Sequence, residues 1–171
     1  MIPGFQFLAP GTAKEFEALF RQTYNNDKPT YTRISDYTNK TEVNVEFGVA
    51  DIIKRGKKAT VIAVSTMLDS VIEACKDEDV TIIYYTTLMP FDKLTLLYNC
   101  QSGKILICEP HYQGILSYDV LEAVGSMKVQ VDFVGLPREI CRNYGTKEEK
   151  DEYFGLTVKN IRGTLRSLIN E

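Results

Sequence analysis

The chain is 171 residues long, with 44% hydrophobic and 25% charged residues and a net charge of -3, which predicts one compact soluble domain with a substantial core and an appended element. That balance offers no electrostatic footprint for nucleic acid or an anionic membrane surface. No apolar run approaches the roughly 18 residues of a membrane span, and the N-terminus lacks a charged-then-apolar leader, so a cytoplasmic protein is expected.

From the N-terminus, "FQFLAP" (5–10) is a short strand candidate, and "GTAKEFEALFRQTY" after it places Phe16, Leu19 and Phe20 at helical spacing. "PTYTRI" (29–34) is rich in β-branched and aromatic residues and reads as a strand. The polar stretch "SDYTNKTEVNVEFG" predicts a hairpin or loop; Gly48 and Gly56 then bracket a short helix, with Gly56 as its C-cap. A continuous apolar strand, "ATVIAVST" (59–66), leads into the helical "MLDSVIEACK", and "VTIIYYTT" (80–87) is a second buried strand. "PFDKLTLLYNC" starts a helix with Pro90 in its first turn, where no N–H is lost, and Asp92 beside the positive end of the dipole. "KILICE" (104–109) is a strand, followed by a helix from about Gly114 to Val124; "VQVDFVGL" (129–136) is another strand, and the amphipathic "TVKNIRGTLRSLI" (157–169) closes the chain.

Strands without strict alternation, separated by helices, point to the α/β class: a three-layer, mainly parallel but mixed sheet with helices on both faces. Neither GxGxxG nor GxxxxGK[ST] is present, so no nucleotide fingerprint marks the chain. The four cysteines, Cys75, Cys100, Cys108 and Cys141, lack CxxC or finger-like spacing and read as reduced, mostly buried thiols rather than zinc ligands. The single histidine, His111, lies just past the strand ending at Glu109, and strand C-termini are where open α/β sheets keep ligands. Glu109 is placed either to orient His111 or to cap the following turn.

Five stretches carry a likeness in their order: "FQFLAPGTAKEF", "KPTYTRI", "GVADIIKRGKKATVIAVSTMLDSVIEA", "TTLMPFDKLTL" and "ILICEPHYQGILSYDVLEAV". Together they resemble the C-terminal domain of transketolase-like, thiamine-diphosphate-dependent enzymes: transketolases, deoxyxylulose-phosphate synthases and the beta subunits of 2-oxo-acid dehydrogenases. The first stretch is similar to the last strand and helix of that family's pyrimidine-binding domain. The resemblance therefore divides the chain into residues 1–25, a pyrimidine-domain tail, and 26–171, a transketolase C-terminal-like domain. It implies an enzyme that uses thiamine diphosphate and Mg²⁺ in its full assembly only. The Gly-Asp-Gly motif that would hold them is missing here, the activating glutamate is expected upstream of Met1, and Glu15 and Glu17 lie in the wrong segment to replace it. No catalytic residue and no cofactor or metal ligand is expected from this chain alone.

The implied partners are an N-terminal, thiamine-diphosphate-binding half or subunit and a second copy making homodimer contacts, with no nucleic acid and no membrane. By the same resemblance Arg33, Glu109 and His111 are substrate-binding candidates at the rim of the substrate funnel. Asp36 stands where phosphosugar-handling relatives carry a second arginine; a carboxylate repels a phosphate dianion, so an unphosphorylated or nucleotide-linked acceptor is expected. "HYQGILSYDV" keeps one glycine, Gly114, where relatives have a pair, and implies a remodelled loop. Two alternatives stand beside the transferase: a non-catalytic assembly or regulatory module, and a small-molecule binding domain that uses the strand ends without thiamine diphosphate. Residues 1 to about 25 are expected to pack loosely, to pair with another chain, or to fold onto the C-terminal domain.

Overall fold

The structure is a computed structural model that describes residues 4–140 and 144–170. Five strands form its main sheet in the order β3-β5-β4-β7-β8: β3 (Asp51–Lys54), β4 (Thr60–Val64), β5 (Thr81–Tyr85), β7 (Lys104–Tyr112) and β8 (Gln130–Leu136). All neighbours are parallel except β3, which pairs antiparallel with β5 at one edge. The continuous apolar strands explain themselves in this setting. Successive side chains point to opposite faces, and both faces are covered.

On one face Val61, Ala63, Ile82 and Leu106 pack with Val71 of α2 (Leu68–Ala74) and with Ile161, Leu165 and Leu168 of α6 (Val158–Asn170). On the other, Ile62, Val64, Ile83 and Ile107 pack with Leu96 of α3 (Lys93–Asn99) and Val120 of α4 (Ser117–Val124). The three-layer α/β architecture expected from the sequence is the one observed. Among the described residues no helix is long and apolar enough to cross a membrane.

The first segment folds onto the rest. β1 (Gln6–Leu8) is the middle of a second, three-stranded sheet, parallel to β2 (Thr30–Thr32) and antiparallel to β6 (Thr87–Met89). α1 (Ala13–Thr23) starts with a reciprocal cap: Thr12 Oγ1 accepts from Glu15 N at 3.2 Å, and the Glu15 carboxylate accepts from Thr12 N at 3.1 Å. Leu19 of α1 is fully buried in the same core cluster as Leu165.

Three local expectations change. Residues 51–54 form an edge strand rather than a helix, because Ile52 pairs with Ile83 in the antiparallel ladder. Gly56 is therefore no helix cap; a Cβ there would strike the backbone of Asp79 and Val80, so the glycine allows two backbones to cross closely. Pro90 precedes α3 rather than opening it, after a cis Met89–Pro90 bond, and Asp92 is the N-cap, its Oδ1 accepting from Thr95 N at 3.0 Å. An additional helix, α5 (Lys147–Phe154), precedes α6. Cys75, Cys100 and Cys108 are free and buried, and Cys141 lies outside the described residues.

Candidate functional site at the strand C-termini

β7 continues three residues beyond its expected end, so His111 lies within the strand and is only 5% exposed. Pro110 interrupts the ladder, having no N–H to give. Pairing with β8 stops at Cys108↔Val134 and resumes at Tyr112↔Leu136. Glu109 and His111, two residues apart and so able to share a strand face, are both buried. Glu109 Oε2 stands 3.1 Å from His111 Nδ1, and the carboxylate also accepts from Ile115 N at 3.2 Å and Leu116 N at 3.4 Å. The two roles left open for Glu109 are thus filled together. It holds the imidazole through Nδ1 and caps the entry to α4, whose own N-cap residue, Leu116, has no side-chain bond to offer. His111 Nε2 is buried without a hydrogen-bond partner among the described residues.

Arg33, just after β2, joins this cluster through the backbone: its Nη2 donates to Pro110 O at 3.0 Å. Arg33, Glu109 and His111 therefore converge around Pro110. Asp36 is exposed and takes no part in the cluster.

Beside it lies a cavity of about 340 Å³. Its walls come from the ends of β4, β7 and β8 (Ser65, Pro110 and Leu136) and from Arg33 and α5. Ser65 has a left-handed φ of +53°, a conformation that costs a non-glycine residue unless neighbours impose it. They do so here: Asn39 Nδ2 donates to Ser65 O at 2.9 Å, and the Ser65 hydroxyl donates to Pro10 O at 3.1 Å. Behind this turn Tyr84 donates to Glu15 Oε2 at 2.9 Å, and Gly11 N donates to the same oxygen at 2.7 Å. Burial raises the Glu15 carboxyl above its ordinary range. Asp51, across the strand pair, is pushed up to about 6 by burial and by the charges of Glu15 and Glu46.

Burial also raises the thiols of Cys75, to about 11, and of Cys108. Cys108 packs into the α2–α6 core rather than forming a nucleophilic pair with His111. Among the described residues no cluster of three or more His, Cys, Asp or Glu side chains is arranged to hold a metal ion. With no Gly-Asp-Gly segment either, the donor set here does not fit a Mg²⁺-bound diphosphate. Lys147 and Lys150, on the cavity wall, are site residues that sequence reasoning missed. The available signal was Thr146-x-x-Glu149, a capping box that predicts α5 and with it their placement.

No family model matches the chain. It is 28% identical to an uncharacterised 33.6 kDa protein of the fasciation locus of Rhodococcoides fascians, over 98% of this chain and 55% of that protein. Against 1-deoxy-D-xylulose-5-phosphate synthases the identity is 25% for Pseudoalteromonas translucida and 26% for Thermus thermophilus, covering 98–99% of this chain but only 28–29% of theirs. The chain thus spans about half the length, or less, of these relatives. Its fold matches a solved split-gene transketolase, described as an inactive beta4 tetramer, with a TM-score of 0.88 at 21% identity, over 99% of this chain and 59% of that one. By similarity over nearly its whole length and by its fold, the chain resembles a transketolase-like C-terminal domain.

Proposed function

We propose that the chain is the C-terminal part of a transketolase-like, thiamine-diphosphate-dependent transferase, fragment or split subunit, and works only when joined to the half that binds the cofactor. Residues 1–25 would be the tail of the pyrimidine-binding domain and 26–171 the C-terminal domain, supplying homodimer contacts and the rim of the substrate funnel in the cytoplasm. The observation that carries this reading is the coverage. Almost all of this chain aligns, yet with little more than a quarter of each synthase, as expected of one part of a larger catalytic assembly.

In such an assembly thiamine diphosphate would supply the carbanion chemistry from the other half. This chain's own residues position and select. Arg33, with one guanidinium bond used on Pro110 O, keeps further donors for a substrate oxygen. Glu109 fixes His111 so that the imidazole is presented in one orientation. Asp36 repels a phosphate at the position where related enzymes place an arginine, which favours an acceptor without a phosphate there.

Calorimetric titration of thiamine diphosphate with Mg²⁺ tests the reading, using the chain alone and then mixed with the Gly-Asp-Gly-bearing polypeptide from the same genome. Binding and turnover in the mixture only are expected. Binding in neither would remove the thiamine role and leave an assembly module; binding by this chain alone would put the cofactor site in the wrong half.

A further inference from the structure

Arg33, which the transferase reading gives to a substrate oxygen, shares the cavity beside Pro110 with two lysines that this reading does not use. Arg33, Lys147 and Lys150 line it, against a single carboxylate, Asp151, so its wall has a formal charge of +3 - 1 = +2 in a chain whose net charge is -3. Lys147 is already committed: it pairs with Asp151 and lies 5.5 Å above the Tyr37 ring. Arg33 and Lys150, in contrast, have no carboxylate partner among the described residues. Two uncompensated cations from different elements therefore line one open cavity. Asp36 does not line it, although its neighbours Ser35 and Tyr37 do.

The lining also has apolar side chains, Met67, Leu136, Phe154 and Leu156, and Phe154 follows Lys150 by one turn of α5. Ser35, Thr66 and Ser70 add hydroxyls to the lining. A space of about 340 Å³ lies at the small end of the range for specific ligand pockets. Its lining combines one dianion's worth of free positive charge with apolar side chains. A carboxylate would leave one cation unmatched, whereas a phosphate monoester neutralises both and presents oxygens to a planar guanidinium and to an ammonium at once.

We propose that this cavity is a binding site for a small organic phosphomonoester whose body is apolar or a flat ring, contained wholly in this chain and independent of any thiamine-diphosphate-binding half.

Titration of phenyl phosphate into the full chain tests it, beside inorganic phosphate, phenylacetate and benzyl alcohol. Phenyl phosphate is expected to bind with a Kd below about 1 mM and at least about tenfold tighter than the other three, since each lacks either the dianion or the ring. Arg33→Gln and Lys150→Gln should each weaken it about tenfold, the usual loss for a charge-assisted hydrogen bond. Lys57→Gln, which lines a different pocket, should leave it unchanged, and circular dichroism reports that each variant is folded. Equal binding of inorganic phosphate would overturn the proposal in favour of a plain anion surface, and equal binding of phenylacetate would replace the phosphate with a carboxylate. No binding of phenyl phosphate, or full binding by the Arg33→Gln, Lys150→Gln double variant, ends it.

Discussion

Asp51 shows how one side chain records the cost of a packed site. It sits opposite Tyr84 in the β3–β5 ladder, and its Oδ2 is buried without a hydrogen-bond partner among the described residues. Burial, then the charges of Glu15 and Glu46, lift its carboxyl from the ordinary 3.8 to about 6. The folded chain thus holds this proton more tightly than the unfolded chain does. The linked stability is fully present below 3.8 and is lost as pH rises through about 6; at neutral pH the fold carries an ill-solvated charge. Asp51→Asn removes that charge and keeps the shape. It should stabilise the chain by about 1–2 kcal/mol at neutral pH, a discounted share of the full linkage, and by nearly nothing below pH of about 4. Urea midpoints at the two pH values decide this, and an equal effect at both would mean that the charge is not the cause.

At the scale of elements, what the sequence revealed depended on how much of each element is core. β4 and β5 were legible because continuous apolar runs such as "TVIAV" have no stable place except a sheet covered twice. β3 was misread: "DIIK" has two apolar residues and two charged ones, and only its partner β5 makes it a strand. The last residues of β7 were read as loop because Pro110 ends local pairing, while the register is restored from β8. The same long-range step brought Arg33 to Pro110, 77 positions away, which no local pattern contains.

α5 is the opposite case, an element with no buried residue. Besides Phe154, which packs half-buried against the core, its order comes from the Thr146–Glu149 capping box and the Lys147–Asp151 pair, terms of about 1 kcal/mol or less each. Thr146→Ala should therefore open α5 locally, raising amide exchange across 147–154 about fivefold, for a loss of about 1 kcal/mol. The global urea midpoint should not move. A matching fall in the midpoint would show that α5 is part of the cooperative core after all.

For the whole molecule the question is whether residues 1–25 and 26–171 are one folding unit or two. The proposed boundary falls just after α1, yet the core does not respect it. Leu8 and Leu19 lie in one buried cluster with Val71 and Leu165, and β1 is hydrogen-bonded on both sides to strands from beyond residue 25. A unit that contributes fully buried leucines to a shared core cannot leave without opening a cavity there. Leu19→Ala should accordingly cost about 3 kcal/mol, within the range for buried leucine truncations. The loss should appear in the single unfolding transition of the entire chain, as it would for Leu165→Ala at the other end of the sequence. Unfolding followed by tyrosine fluorescence and by far-ultraviolet dichroism checks this. Coincident curves shifted together by either substitution mean that the borrowed segment has become integral to this domain. If Leu19→Ala instead splits the curves and leaves the later transition in place, the first 25 residues are a docked tail that unfolds apart from the domain it covers.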